Sequence, residues 1–95
     1  MAFGIVSSGG RVVEANGGTG TVTTNTWALA RIRWVSEAAA QNDTCIIKDA
    51  AGNVIFESYA GGANWEDEVE LGKVVLTQGV QITTLDSGDV FFYLR

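Results

Sequence analysis

The sequence predicts an all-β domain, a small antiparallel β-sandwich or jelly-roll-like barrel, and three observations carry that expectation. Apolar runs rich in β-branched and aromatic residues are short, and turn signals separate them at roughly eight- to twelve-residue intervals. The clearest of those signals are Gln41-Asn42-Asp43, Asp49-Ala50-Ala51-Gly52-Asn53 and Leu85-Asp86-Ser87-Gly88-Asp89. Proline is absent, which removes one common means of blunting sheet edges, so an unprotected edge becomes a candidate assembly surface.

The elements follow in order along the 95 residues, a length that suits one domain. The first 26 residues hold six of the 12 glycines and a Thr-rich tract from Gly17 to Thr26, with only short apolar pairs such as Ile5-Val6 and Val12-Val13. Residues 1–26 therefore read as a flexible Gly-rich N-terminal arm with one or two short strands, and residues 27–95 as the β-sandwich proper. After Trp27, Ala30, Ile32 and Trp34 alternate with Arg31, Arg33 and Val35, the period of a half-buried strand. A helix from Trp27 to Gln41 competes, given Leu29, Glu37 and Ala38 to Ala40. The strand is preferred because two tryptophans bracket the alternation and turn chemistry follows it.

Thr44 to Tyr59 reads as a hairpin, two β-branched runs joined through Gly52 and Asn53, residues that tolerate positive φ. Gly61 to Gly72, GGANWEDEVELG, reads as an acidic loop, with a short strand at Val74 to Thr77 after it. Gly79 to Arg95 reads as a second hairpin around Leu85 to Asp89. Its last strand, Val90 to Leu94, is nearly all apolar and so is expected at the centre of a sheet.

Composition excludes much chemistry. Histidine is absent, so imidazole-activated serine or cysteine nucleophiles and the usual zinc sites are unavailable, and the expectation is a protein that is not an enzyme and has no cofactor. The single cysteine, Cys45, stands beside Ile46 and Ile47 and reads as a small core residue; it has no second cysteine to bridge to. A net charge of −5 and a pI near 4.4 argue against a nucleic-acid partner. Apolar runs of four or five residues are too short for a signal-peptide core or a membrane span, which points to a soluble protein made in the cytoplasm with no membrane partner.

The candidate contact residues are Trp65, Glu66, Asp67, Glu68, Glu70 and Trp27. Glu66, Asp67, Glu68 and Glu70 form the densest charge cluster, suited to a solvated loop or to a basic partner; with Asn64 they could also offer oxygens to calcium, although the spacing matches no EF-hand. Trp65, in a Gly-, Asn- and acid-rich setting, is the best single anchor for an interface, while Trp34 belongs to the core. Asp86 and Asp89 could pair as acid and base, but LDSGD has reason enough as a turn, with Asp86 capping its own backbone and Gly88 supplying a left-handed residue. GGTGT lacks the lysine and helix of a phosphate-binding loop.

From about Arg31 onward, RIRWV at 31–35, KDAAGNVIFES at 48–58 and GVQITTLDSGDVFFYL at 79–94 follow in an order that resembles a group of small tailed-phage virion proteins. That group is similar to capsid decoration (cement) proteins. The resemblance implies a non-enzymatic bacteriophage structural protein, a β-sandwich that binds the outer surface of a phage head and stabilises it. It further implies the major capsid protein as partner, a homo-oligomer with a trimer favoured over a dimer, and a place on the virion capsid surface after synthesis in the host cytoplasm. A tail or baseplate component and a carbohydrate-binding module with Trp65 and Trp27 as stacking platforms are the alternatives. The resemblance brings no catalytic or metal-binding residues with it.

Overall fold

In the computed structural model, the backbone is described for residues 4–8, 12–16 and 18–94, and side chains for residues 12–15, 18–71 and 76–94. The described residues form an all-β fold of seven strands and no helix. The strands are β1 (Gly4–Ser8), β2 (Val12–Asn16), β3 (Gly20–Ser36), β4 (Thr44–Lys48), β5 (Val54–Tyr59), β6 (Trp65–Leu85) and β7 (Asp89–Leu94). They make one antiparallel sheet in the order β1-β2-β7-β3-β6-β4-β5.

A flat sheet would be about 10 Å thick. The molecule measures 32 × 29 × 27 Å, so the sheet curls until its inner face encloses a core, the geometry of a small sandwich or barrel. The two longest strands make the curl. The second half of β3 lies between β7 and the start of β6, whereas the end of β6 lies between the start of β3 and β4. Between these halves residues 71–74 of β6 stand opposite the single Ala30 of β3, and further register shifts fall at Thr21, Thr23 and Thr26. Such bulges bend strands and increase their twist. Gly79, at φ 76, adds a left-handed residue inside β6, and the β4–β5 turn closes onto it through the Ala50 N–H, which donates to the Gln78 carbonyl at 3.0 Å.

The core draws on six strands: Val13 and Ala15; Leu29, Ile32 and Trp34; Cys45 and Ile47; Phe56; Val80 and Ile82; Val90 and Phe92. β7 lies between β2 and β3 with Val90 and Phe92 fully buried, the central strand its apolar sequence predicts. The Thr44–Tyr59 hairpin also forms as expected, with Gly52 at φ 91. Asp49 organises its turn, its carboxylate accepting the N–H groups of Ala51 (3.0 Å) and Asn53 (2.8 Å).

Three expectations need correction. Gly79 to Arg95 is not a paired hairpin, because β3 lies between β6 and β7. Asp86, Ser87 and Gly88 form an arch from one half of the curled sheet to the other, and the sequence of such an arch looks like that of a hairpin turn. Residues 65–72 are not a loop but the start of β6, since Trp65, Asp67, Val69 and Leu71 alternate with Glu66, Glu68 and Glu70 at a strand's period. The stretch 1–26 carries more strand than expected: β1 and β2 pair with each other, β2 pairs with β7, and β3 begins at Gly20 and crosses the 26/27 boundary. Val12, Val13, Thr21, Val22 and Thr23 favour a pleated backbone, and Val13, Ala15 and Val22 are buried. Residues 1–3, 9–11 and 17 of the expected arm lie outside the described residues.

Candidate functional site

The acidic segment becomes a charged ladder once it is a strand. In the β3–β6 register Arg33 stands opposite Glu68 and Arg31 opposite Glu70, all on the outer face. Arg33 Nη2 reaches Glu66 Oε1 at 2.9 Å, while Arg31 lies 3.7 Å from both Glu68 and Glu70. The Arg31 guanidinium also stacks 4.1 Å from the ring centroid of Tyr93 on β7, a cation–π contact. Glu66, followed by Tyr93, holds the Arg33 pKa above its ordinary value. The basic groups that this cluster would need from a partner are thus present in the chain itself, three strands earlier in sequence.

Asp67 points the other way. Its carboxylate accepts the Ser58 hydroxyl at 2.6 Å, beside the buried thiol of Cys45. A calcium site would need these oxygens to converge, and alternation sends Asp67 to one face and the three glutamates to the other. Asn64 takes φ 57 and its N–H donates to the Glu37 carbonyl at 2.9 Å. Among the described residues no three acidic or sulfur groups gather as metal ligands.

Trp65 stands at one end of the β3–β6 ladder, beside Ser36, and Trp27 midway along it, beside Thr77. Both are half-buried and packed on the core. Trp27 meets Phe92 edge-on at 5.8 Å, and Trp65 lies against Gly61, with its indole N–H buried and without a partner among the described residues. Asp86 and Asp89 are committed separately. The Asp86 carboxylate accepts the Thr44 N–H at 2.8 Å, fastening the arch to β4 rather than capping its own turn, and Asp89 lies against Glu14 of β2. Burial, then the charge of Glu14, raises the Asp89 pKa.

Two features escaped the sequence. A hydroxyl relay ties three segments: Ser36 donates to Ser87 at 2.8 Å, and Ser87 donates to Asp43 at 2.8 Å. The Ala40 N–H also donates to Asp43, and these bonds hold the Asp43 carboxyl below its ordinary pKa. The second feature is apolar. Leu76 is 71% exposed on the outer face of β6, in an open groove with Ile55, Asn53 and Gln78, and Val54 and Tyr59 of β5 are about half exposed. The sequence hid Leu76 inside the run Val74-Val75-Leu76, where nothing tells which residue faces water.

The outer surface thus carries a ladder of two arginines and three glutamates on one part and an apolar groove on another. No protein-family model, curated protein or solved structure matches the chain.

Proposed function

We propose that this chain is a non-enzymatic virion structural protein, a decoration protein that binds the outer surface of a tailed-phage head through the major capsid protein and stabilises the shell. The observation that carries the reading is Leu76: a leucine 71% exposed beside Ile55 in an open groove is a poor use of apolar surface in a 95-residue chain unless something covers it. The resemblance carried by residues 31–35, 48–58 and 79–94 supplies the class of partner. Those segments belong to β3, to the β4–β5 hairpin and to β6 with β7, so they span the sheet rather than one loop.

The mechanism is mechanical rather than chemical. A shell presents many identical sites, and a rigid sheet seated across neighbouring subunits opposes their separation. The outer glutamates of β6 are largely answered by Arg31 and Arg33, so docking rests on the groove more than on the acidic run.

The test is sedimentation of the purified protein with heads that lack it. Co-migration at a fixed stoichiometry, lost in Leu76→Asp, supports the reading. Protein that stays at the top of the gradient with every head preparation overturns it. Immunogold labelling of whole virions separates a head location from a tail or baseplate.

A further inference from the structure

The outer strand β5 carries the observations furthest. It ends the sheet, and among the described residues nothing pairs with its free side. Its sequence, VIFESY, is rich in strand formers and has neither proline nor lysine; its edge protections are the single charge of Glu57 and a bulge at Ile55, which leaves residues 56–59 in regular register with β4.

Its backbone direction follows from one residue beyond it. The Ala60 N–H donates to the Asp43 carbonyl at 2.7 Å and the Ala60 carbonyl accepts the Asn42 N–H at 2.8 Å, so both backbone groups of Ala60 face the β4 side. By the alternation of a strand, Ser58 and Phe56 face β4 as well, and Glu57 and Tyr59 turn their N–H and C=O groups to the open edge. Their side chains are exposed on the outer face, where the Tyr59 hydroxyl donates to Glu57 at 2.6 Å, while Phe56 and Ser58 are buried.

These constraints select a partner strand. An antiparallel neighbour must place side chains opposite others of the same face, so Glu57 can meet another Glu57, an Ile55 or a Tyr59. The first sets like charges directly opposite and the second leaves the carboxylate against a hydrocarbon. The third places a phenol donor opposite a carboxylate acceptor, the pair that already forms within one strand.

We propose that two copies of this chain join antiparallel along β5, with Ser58 on the two-fold axis and Glu57 of each copy opposite Tyr59 of the other. Each of the two Glu57–Tyr59 pairs then exchanges two backbone hydrogen bonds, and each Tyr59 hydroxyl can donate across the axis to the second copy's Glu57. A two-fold strand pair closes at two copies, so the assembly is the dimer rather than the trimer that the resemblance favours. Leu76 lies outside the paired edge, so this inference and the capsid reading stand or fall separately.

Sedimentation velocity of the purified full chain, from micromolar to near-millimolar concentration, is the test. The expected species at high concentration has about twice the 10.1 kDa of one chain. Glu57→Pro removes an N–H that faces the open edge, so it should keep the far-ultraviolet spectrum of the parent and remain monomeric. Tyr59→Phe leaves the fold untouched and should weaken dimerisation about tenfold. Amide exchange at Glu57 and Tyr59, but not at Phe56 and Ser58, should slow as concentration rises. A parent chain monomeric throughout, a trimer, or variants that dimerise like the parent would overturn the proposal.

Discussion

The indole N–H of Trp34 donates to the backbone carbonyl of Ser87 at 2.9 Å. Trp34 is fully buried near the end of β3, and Ser87 belongs to the arch between β6 and β7, so one bond secures the largest core side chain and the passage between the two halves of the sheet. Trp34→Phe removes that donor and leaves a void. It should lower stability by about 2–4 kcal/mol, read as a shifted urea midpoint at unchanged slope. An unshifted midpoint would mean that the arch holds without the indole.

Glycine is required at position 88 for two reasons. Its φ is 81, and a Cβ there would overlap the Val35 carbonyl and stand 2.6 Å from the Ser36 Cβ. Gly88→Ala should cost about 3 kcal/mol or more. Gly52, at φ 91 with nothing within 4 Å, meets only the conformational cost, about 1–2 kcal/mol for alanine. Thermal melts of the two variants should rank in that order.

Acid should act on the turns. Hydrogen bonds from Ala40 and Ser87 hold Asp43 below its ordinary pKa of 3.8, and those from Asn53, with Ala51 and Gly52, do the same for Asp49. The unfolded chain then binds more protons than the native one, so this stability is present above pH 3.8 and is lost as pH falls through the lower native values. Asp89 has the opposite sign. Its native pKa is raised, so its contribution is complete at low pH and is lost as pH rises through that value. Asp49→Asn should flatten the acid limb of the melting-temperature profile. Asp89→Asn should raise the melting temperature at neutral pH and leave it unchanged at about pH 3.

Cys45 gives a chemical probe of global opening. Burial, with the charge of Asp67 beside it, pushes its thiol up to about 12. A disulfide reagent at about pH 8 should leave the native protein unmodified and label it fully in denaturant. Rapid labelling of the native protein would show that β4 opens locally.

The sequence carried the strand class and several strands because their patterns are local. Ile32 and Trp34 alternate with arginines, Gly52 and Gly88 mark turns, and the apolar run at Val90 to Leu94 belongs at a sheet centre. What it did not carry is non-local. The motif LDSGD reads the same whether the strands beside it pair or are parted by β3. The acidic run hid its alternation because Asp67, an inward residue, is itself acidic, and only the fold shows that the Ser58 hydroxyl donates to it. The partners of Glu66, Glu68 and Glu70 sit more than thirty residues earlier in the chain, on Arg31 and Arg33, and no spacing rule reaches that far.

The position of β7 sets the timetable of folding. Val13 pairs with Phe92 and Trp34 with Val90, so the middle of the sheet joins segments that the ribosome makes at opposite ends of this stretch of chain. The β4–β5 hairpin can close early, yet β2 and the second half of β3 wait with an edge unsatisfied until β7 arrives. Such long loops must close before any contact rewards them, which makes for a slow, all-or-none search and a nascent chain exposed to mispairing.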